Sequence, residues 1–496
     1  MRTDARALPD GEVRAADVCI VGAGPAGITV ARDLRGSGLS VVLLESGGDT
    51  FDPETQSLYA GEVVGEPLVY AHAPMPLEAT RLRYLGGSSN HWGGMCRPLE
   101  PLDLEPRPEL GRSGWPLAYD ELARWYPMAM RTCQLPGDSF DADEWFGRID
   151  RTPPVRTDAV TTVMFQLSPP TRFGEVYGAE LAAAEDIELV LWANAVDLRT
   201  PPDGSHVTEV VARTLTGVEL RVRAEVVVLA TGGIEVPRLL LASTSAGPAG
   251  LGNARDLVGR FFMEHPSISG SAIVLGWPDP ELPYAAYGGQ AMAALAPTTA
   301  TLVAQALPAA AATIELPADG WEQDPGRLGT APSPADVRAL YEAVASPAAA
   351  PFARLNLRAE QLPNPDSRVR LGSRTDRLGL PVVEVDWRLT QADREGAARV
   401  LRLIAAEVGR AGAGRVVLSR TALDPTGMFQ TGNHHMGTTR MDPDPALGVV
   451  DTDLRVHGTD NLYVVGSAVF PTTGYANPTL TLVALAHRLA DHLRSR

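Results

Sequence analysis

The sequence contains no lysine, and its 43 basic side chains are all arginines. Without lysine the chain cannot form a Schiff base, anchor pyridoxal phosphate or supply the lysine of a phosphate-binding P-loop. Enzymes that depend on those groups are therefore excluded. A GC-rich coding bias toward arginine codons explains the absence. Its chemical consequence is that phosphate neutralisation falls to arginine and backbone N–H groups, and proton abstraction near neutral pH falls to histidine.

Cysteines and long apolar runs are also scarce. Cys19, Cys96 and Cys133 lie far apart in the sequence, so neither a disulfide framework nor a cysteine zinc site is expected, and a reducing compartment fits. The most apolar stretch, about residues 290–318, is interrupted by two prolines and carries polar side chains, which does not predict a membrane span. The N-terminus shows no apolar signal segment. We therefore expect a cytoplasmic protein with no membrane span.

The charge and the size of the chain narrow its class further. A formal net charge of −17 argues against nucleic acid or an anionic membrane surface as a partner, because binding phosphate groups requires clustered cations. The 48 glycines and 41 prolines indicate many turns but stay below the content of a disordered chain. A chain of 496 residues has room for about two to four domains.

A glycine motif lies inside a predicted strand–helix–strand unit near the N-terminus. Residues 17–21 and 40–44 are short apolar runs that predict buried strands, and a helical pattern separates them. Gly22, Gly24 and Gly27 follow the first strand as G-x-G-x-x-G. In such a unit the first glycine makes the tight turn, the second lets the backbone approach a pyrophosphate, and the third lets helix and strand pack closely. The alternative is a turn that serves packing alone.

Three further segments concern the identity of the nucleotide. Glu45 ends the second strand, where a carboxylate accepts hydrogen bonds from ribose hydroxyls and repels a 2′-phosphate. The glycine motif alone does not separate FAD from NAD. However, Thr231 follows the predicted buried strand 225–230, and residues 460–471 read DNLYVVGSAVFP. Both resemble segments of two-dinucleotide-fold flavoproteins in the same chain order, which favours FAD.

The segment GGSSNHWGG, residues 86–94, is the densest run of glycine and small polar residues. Small residues with free N–H groups suit a backbone that passes close to a diphosphate or a flat ring. Two interpretations of its histidine are open: the ring packs against the turn and bonds to backbone carbonyls, or it attaches covalently to the flavin 8α-methyl group. The second would retain the cofactor and make it a stronger oxidant. The candidate cofactor-binding residues here are Gly87, Ser88, His91, Trp92 and Gly93.

A pair of histidines and a distant asparagine form the candidate catalytic group. His434 and His435 are adjacent in TGNHHMGTTRM, and because adjacent side chains rarely converge on one ion, no metal site is predicted. A histidine pair without a catalytic role remains an alternative. Asn477 precedes Pro478, which predicts an extended residue at a helix start. An imidazole that removes a hydroxyl proton and an amide that orients the oxygen suit alcohol oxidation with hydride transfer to flavin N5.

Over nearly its full length the sequence resembles the glucose–methanol–choline (GMC) oxidoreductase family. Within that family it is most similar to pyranose oxidase and to the bacterial sugar and polyol dehydrogenases. The segments that carry the resemblance are VGAGPAG with LLESGG, GGSSNHWGG, ATGGIEVPRLLLAS, VGRFFMEHP, and the closing HHMGTTRM, NLYVVGSAVFP and YANPTLT.

The resemblance implies specific roles. His434, three residues before Gly-Thr, takes the place of the family's catalytic base, and Asn477 takes that of its partner. His91 corresponds to the histidine that carries a covalent flavin in pyranose oxidase, with Asn in place of the preceding Thr. Val196 would contact adenine through its backbone. Gly466 stands where many members have Asp, next to small residues near the pyrophosphate such as Ser467.

These observations predict an α/β fold with two discontinuous domains. The first is a two-dinucleotide-binding FAD domain with a Rossmann-like βαβ unit, formed by residues 1–100, 185–270 and 430–496. The second is an inserted α+β substrate or cap domain with an antiparallel sheet, formed by residues 101–184 and 271–429.

The predicted function is FAD-dependent oxidation of an alcohol group to a carbonyl. The expected substrate is a small sugar, aminosugar or polyol-like alcohol in a tailoring pathway, and the expected electron acceptor is O2, a quinone or a protein. One alternative keeps FAD but has a bulky apolar, sterol-like alcohol as substrate. Another is an electron-transferring flavoprotein subunit. Glu360 and Gln361 are candidates to reach a polyhydroxy substrate.

Overall fold

The computed structural model describes residues 1–70, 73–275, 289–315, 352–418 and 429–496. The strands of these residues are β1 (Arg2–Asp4), β2 (Glu12–Val21), β3 (Val41–Leu44), β4 (Gly61–Val63), β5 (Val69–Tyr70), β6 (Ala73–Pro74), β7 (Met95–Cys96), β8 (Val160–Leu167), β9 (Ile187–Leu191), β10 (Asn194–Arg199), β11 (Glu209–Arg213), β12 (Glu219–Leu229), β13 (Ser267–Leu275), β14 (Ala291–Pro297), β15 (Ala310–Glu315), β16 (Phe352–Ala359), β17 (Arg368–Thr375), β18 (Pro381–Asp386), β19 (Arg415–Leu418) and β20 (Leu462–Val464).

The α-helices of the same residues range from single turns to a helix of 20 residues. They are α1 (Pro25–Leu34), α2 (Pro53–Gln56), α3 (Pro101–Leu104), α4 (Tyr119–Ala123), α5 (Tyr126–Thr132), α6 (Ala142–Gly147), α7 (Phe173–Ala183), α8 (Gly232–Ala242), α9 (Thr299–Ala304), α10 (Gln391–Arg410) and α11 (Pro478–Arg494). Short 3-10 helices join several of them, including one over Gly87–Asn90.

The larger sheet is a mixed sheet of eight strands in the order β1-β9-β3-β2-β12-β11-β10, with β20 also pairing with β12. The pairs among β1, β9, β3, β2, β12 and β20 are parallel, and β10 and β11 add an antiparallel hairpin. The last residues of β2 and β3 are buried and apolar, as expected for parallel strands covered by helices on both faces. The carboxyl ends of these strands therefore point to one edge, where α/β folds bind ligands.

The second sheet has seven strands in the order β19-β13-β16-β15-β14-β8-β7, and every neighbouring pair in it is antiparallel. Helix α10 packs against one face of this sheet. A capping box at Thr390 and Asp393 begins that helix by satisfying its first N–H groups. Together the two sheets confirm the predicted fold class, a nucleotide-binding α/β unit joined to an antiparallel substrate sheet. The exact domain boundaries remain a prediction.

Several predicted elements agree closely with the observed ones. Helices α8 and α10 confirm the helical patterns at residues 234–242 and 391–411. The three cysteines are buried free thiols. Among the described residues, no helix combines the length and apolar character that crossing a membrane requires.

Candidate functional site

The main cavity of the described residues has a volume of about 740 Å³ and lies where the carboxyl ends of β2, β3 and β12 face the second sheet. The predicted site residues converge on it from five separate segments of the chain. Those that line it are Gly22, Gly24, Glu45, Gly87, Ser88, His91, Trp92, Gly93, Thr231, His434, Gly466, Ser467 and Asn477.

Two predicted cofactor residues lie elsewhere. A Cβ at Gly27 would come within 1.9 Å of the carbonyl oxygen of Gly22, so this glycine permits the close packing of α1 on the turn and does not line the cavity. Val196 lines a small adjoining cavity that shares Gly22 and Thr231 with the main one. It sits at a bulge in β10, where the extra residue of a bulge is left without a ladder partner.

The wall formed by the larger sheet suits a dinucleotide. Helices α1, α8 and α11 begin at Gly24, Thr231 and Asn477, and none of these residues caps its helix with a side-chain hydrogen bond. Their first N–H groups and positive dipole ends therefore remain available to an anion. The Oγ1 of Thr231 is buried without a hydrogen-bond partner, and a Cβ on Gly24 or Gly466 would meet no atom within 4 Å. These residues fit FAD, since the site leaves both room and unsatisfied polar groups.

Glu45 is fixed by the turn that it faces. Its two carboxylate oxygens accept hydrogen bonds from the backbone N–H groups of Ala23, at 2.9 Å, and Gly47, at 3.1 Å. Burial raises the pKa of Glu45, and these N–H groups oppose the rise. The carboxylate is held at the end of β3, at the edge of the main cavity.

The loop of residues 86–94 is clamped against the glycine turn. The N–H of Gly86 donates to the carbonyl of Ala23 at 2.8 Å, and a Cβ on Gly87 would lie 3.2 Å from the Cα of Gly24. On the other side, the indole of Trp92 donates to the carbonyl of Thr171 at 2.9 Å. The backbone of the loop is thus held from two directions.

The ring of His91 faces the cavity from this loop. It is exposed, and it makes no hydrogen bond to any described residue. The first interpretation from sequence, a ring bonded to backbone carbonyls, therefore does not match the structure. Although the residue is exposed, nearby protein atoms partly shield its ring from water, and this desolvation, followed by the positive charge of Arg172, lowers the pKa of His91. The ring is thus a neutral nitrogen base beside the space that suits a flavin.

The two C-terminal histidines point in different directions. His434 is half-buried on the cavity wall, and its Nε2 lies 3.3 Å from the Nδ2 of Asn477. His435 also lines the cavity, but its ring packs on Phe262 at 5.7 Å between ring centroids and approaches Glu264. Among the described residues, no group of three histidine, cysteine or acidic side chains is arranged to hold a metal ion.

His434 and Asn477 each make a further contact that orients the side chain. The Nδ1 of His434 lies 2.8 Å from the Nδ1 of His265, whose Nε2 lies 3.0 Å from the carbonyl oxygen of Gly474. The Oδ1 of Asn477 accepts a hydrogen bond of 2.6 Å from the guanidinium of Arg358. Burial, the neighbouring His265 and Arg358 hold the pKa of His434 well below its ordinary value.

A buried acid lies beneath the histidines. Glu264 is fully buried, and burial raises its pKa to about 8 despite hydrogen bonds from the N–H groups of His265 and Gly432. Its Oε1 lies 3.6 Å from the Nε2 of His435, and both atoms lack a hydrogen-bond partner. At neutral pH the protonated acid thus avoids burying a charge next to the catalytic group.

Glu235 forms a buried ionic cluster with arginines beside the adjoining cavity. Its carboxylate accepts from Arg81 at 2.8 Å, Arg238 at 3.2 Å and Arg83 at 3.3 Å. Burial raises the pKa of Glu235, but Arg238, Arg81 and Arg83 outweigh this effect and lower it to about 2. Arg81 and Arg83 precede the loop of residues 86–94, so the cluster ties that loop to helix α8.

The substrate sheet presents polar groups to the cavity. Thr313 of β15 is paired with Asn356 of β16, and both line the cavity together with Arg358 and Gln430. Phe165 and Met292 add an apolar part to the same wall. The far end of the cavity therefore combines amide, hydroxyl and guanidinium groups with a limited apolar surface.

The expectation that Glu360 and Gln361 reach the substrate is wrong. Both are fully buried and neither lines the cavity. Glu360 pairs with the buried Arg112 at 3.1 Å. Gln361 accepts from the indole of Trp387 at 2.8 Å. These residues follow β16 directly. Other parts of the chain pack over this end of the strand, so both polar side chains lie in the interior of the protein.

Sequence reasoning also missed three residues beside the candidate catalytic pair, His434 and Asn477. His265 and Glu264 occur in VGRFFMEHP, which carries the family resemblance but no recognisable local motif for catalysis. Arg358 lies in a strand of alternating residues that is typical of any half-buried sheet. Side chains alternate between the two faces of this strand, and only the fact that Arg358 is on the face toward the cavity could have indicated its role.

The chain is similar to several known oxidoreductases. Residues 363–486 match the model of the GMC oxidoreductase C-terminal domain. The large subunit of fructose dehydrogenase from Gluconobacter japonicus is 26% identical, covering 97% of this chain and 98% of that protein. Paromamine 6′-oxidase from Streptomyces fradiae is 27% identical, covering 96% and 90% respectively. The crystal structure of pyridoxine 4-oxidase from Mesorbium loti superposes with a TM-score of 0.63 at 18% identity, covering 97% of this chain and 99% of that one.

The glycine turn, the carboxylate at the end of β3 and the uncapped helix starts are the features of a dinucleotide-binding site. The comparisons confirm the predicted resemblance to the GMC oxidoreductases: residues 363–486 match that family's model, and the similarity to the fructose dehydrogenase large subunit covers nearly the whole chain. The similarity to named dehydrogenases and oxidases supports the predicted enzyme class, an FAD-dependent alcohol oxidoreductase.

Proposed function

We propose that the protein oxidises an alcohol group of a sugar, aminosugar or polyol-like molecule to a carbonyl, with His434 as the proton acceptor. The observation that carries this proposal is the contact of 3.3 Å between His434 Nε2 and Asn477 Nδ2 on the cavity wall. The bound FAD supplies the hydride acceptor, flavin N5. The chain's own residues must then bind the alcohol, orient its oxygen and accept its proton.

The residues proposed to hold FAD divide by the part of the cofactor that each would contact. Glu45 would accept hydrogen bonds from the ribose hydroxyls. The backbone of Val196 would contact adenine at its bulge. Four elements would surround the pyrophosphate and the flavin: the glycine turn, the loop of residues 86–94, the start of α8 and the segment after β20. The lining residues that they supply are Gly22, Gly24, Gly87, Ser88, Trp92, Gly93, Thr231, Gly466 and Ser467.

His434 is suited to the role of base by its protonation state. Its lowered pKa keeps the imidazole neutral at physiological pH, so that it can accept a proton from the substrate hydroxyl. Asn477 would donate a hydrogen bond to the substrate oxygen and so hold it beside His434 Nε2. The extended backbone of Asn477 at the start of α11 fixes that amide, and Arg358 holds its other end.

The polar wall of the second sheet supports a polyhydroxy substrate. Hydroxyl groups of a sugar or polyol would find hydrogen-bond partners in the side chains of Thr313, Asn356 and Gln430. A bulky apolar alcohol would offer no hydrogen-bonding groups to this polar wall. The wall therefore favours the sugar or polyol class over the sterol-like alternative.

Anaerobic mixing of the holoenzyme with a panel of alcohols tests this function. We expect sugars, aminosugars or polyols to bleach the yellow flavin colour and a sterol-type alcohol to leave it unchanged, because only the former match the polar wall. Stopped-flow absorbance measures the rate, and product analysis identifies the carbonyl. Bleaching by the apolar alcohol alone would overturn the substrate class, and no bleaching by any alcohol would overturn the proposed activity. Reoxidation by air compared with a quinone then assigns the electron acceptor.

We also propose that His91 carries the flavin covalently, through a bond from its ring nitrogen to the 8α-methyl carbon. This bond would replace one methyl C–H and the ring N–H, and the two protons and two electrons released would reduce the flavin, which its electron acceptor, O2 or a quinone, would then reoxidise. The support is a neutral ring that faces the cavity from a clamped loop and makes no hydrogen bond to any described residue. We expect acid-denatured wild-type protein to keep a fluorescent flavin on a denaturing gel, and the variant His91→Ala to release all of its flavin.

A matched control for this experiment is His206→Ala, which removes an exposed histidine outside the cavity. That variant should keep the fluorescent band. Free flavin in the supernatant of the wild-type protein would show that the attachment is non-covalent, and His91 would then be a packing residue beside the isoalloxazine ring.

A further inference from the structure

We infer that His265 is a positioning residue that fixes the tautomer of His434, so that Nδ1 of His434 carries the proton and Nε2 presents its lone pair to the cavity. This inference rests on the proposed role of His434 as base. It concerns a side chain that does not line the cavity and that is fully buried behind the catalytic group.

The first step of the argument is the contact with the backbone. The carbonyl oxygen of Gly474 can only accept a hydrogen bond, and it lies 3.0 Å from Nε2 of His265. That nitrogen must therefore be the donor. In a neutral imidazole only one nitrogen carries a proton, so Nδ1 of His265 is left as an acceptor.

The second step passes this assignment to the base. The two Nδ1 atoms of His265 and His434 are 2.8 Å apart, so one must donate and the other must accept. Because Nδ1 of His265 is the acceptor, Nδ1 of His434 is the donor, and its Nε2 holds a free lone pair. Burial and the positive charge of Arg358 lower the pKa of His265 to about 3, which keeps it neutral and preserves this direction.

The third step reaches the same tautomer from the opposite side. The guanidinium of Arg358 can only donate, and it contacts Oδ1 of Asn477 at 2.6 Å. This orients the amide so that Nδ2 faces His434. An amide NH2 also can only donate, so Nε2 of His434, at 3.3 Å, must be the acceptor. Two independent chains of hydrogen bonds therefore specify the same protonation of one ring.

This tautomer determines which nitrogen of His434 accepts the proton in the reaction. When Nε2 of His434 accepts the hydroxyl proton, the ring becomes an imidazolium whose Nδ1–H still donates to His265. His265 thus keeps its hydrogen bond to the ring throughout, and its own pKa of about 3 prevents it from taking the proton. The charged and titratable groups around the pair are Arg358 on β16, Glu264 next to His265, and His435 next to His434.

The substitution His265→Phe tests this role, because it keeps a ring in the buried space but removes the acceptor. We expect turnover to fall by about 10- to 100-fold, the usual cost of removing an outer hydrogen-bond partner. A fault in tautomer is independent of pH, so raising the pH should not restore the rate. If His265 only tuned the pKa of His434, the rate would recover on the alkaline side, and that result would overturn the proposal.

A spectroscopic readout separates this inference from the proposed function. In holoenzyme labelled with 15N-histidine, the ring nitrogens of His434, assigned by their loss in His434→Ala, should show a protonated Nδ1 and an unprotonated Nε2. In His265→Phe we expect a mixture of tautomers. In His265→Asn, whose side-chain oxygen can take the place of the acceptor, the wild-type pattern and most of the rate should return. A protonated Nε2 in the wild type, or an unchanged pattern in His265→Phe, refutes the inference whatever the fate of the alcohol assay.

The matched control is His487→Phe. His487 is also a buried histidine with two hydrogen-bond partners, Asp33 and Thr132, but it lies in α11 away from the cavity. We expect its loss to lower the midpoint of unfolding while leaving the 15N pattern of His434 and the pH dependence of turnover unchanged. An equal change in that pattern would mean that general loosening, and not the missing acceptor, disturbs the base.

Discussion

The variant His434→Ala should lose about 10²- to 10⁴-fold in turnover with the best alcohol of the panel, the range expected when a general base is removed. The reason is that Nε2 of His434 is the proposed proton acceptor on the cavity wall, and its lowered pKa keeps the ring neutral. Steady-state rates measured with FAD-saturated protein give the effect. Added imidazole should restore part of the rate, because a small free base can occupy the space that the side chain leaves.

His206→Ala is the control for this prediction as well. It removes an exposed histidine that does not line the cavity, and it should keep the wild-type rate. The flavin content of both variants should equal that of the wild type. The smallest loss expected on removing a general base is about 100-fold. If His434→Ala keeps more than about a tenth of the wild-type rate at full flavin content, another group accepts the proton.

Glu235→Gln should lower the free energy of unfolding by about 3–5 kcal/mol, the usual result of removing one partner from a buried ionic cluster. The substitution keeps the shape of the side chain but leaves Arg81, Arg83 and Arg238 without their shared counter-charge. Urea unfolding followed by fluorescence measures the change. Because the cluster holds the start of the loop of residues 86–94, we also expect weaker retention of FAD.

The pH dependence of this contribution follows from the pKa of Glu235. Its folded-state pKa of about 2 lies below the ordinary 4.5, so the stabilisation is complete above about pH 4.5 and is lost as the pH falls toward 2. The control is Glu62→Gln, which breaks an exposed ion pair with Arg374 and should cost less than about 1 kcal/mol. Equal effects of the two substitutions would contradict the assignment.

The sequence alone predicts those parts of the candidate site whose residues lie close together in the chain or carry a local motif. The glycine turn and Glu45 belong to one short βαβ unit, so their spacing predicts the same edge of the sheet. His434 and Asn477 are 43 residues apart, yet each has a local signature: one stands in a histidine pair, and the other precedes a proline at a helix start. The contact between them was predicted only through the family resemblance.

The rest of the site depends on long-range packing. His265 reaches His434 across 169 residues, and the cluster of Glu235 joins segments more than 150 residues apart. Nothing near His265 in the sequence indicates that its ring contacts a base. Likewise, the polar side chains of Glu360 and Gln361 suggest a substrate contact, but only the covering of β16 shows that both are interior residues. Position relative to the cavity is a property of the assembled sheets.

The most direct test of the central claim is anaerobic flavin reduction by a polyol deuterated at the carbinol carbon. The account predicts that the yellow colour bleaches more slowly than with the undeuterated polyol, because the C–H bond breaks in the observed step, and that one carbonyl forms for each flavin reduced. Bleaching that is indifferent to deuterium and yields no carbonyl would contradict the claim that this protein oxidises an alcohol.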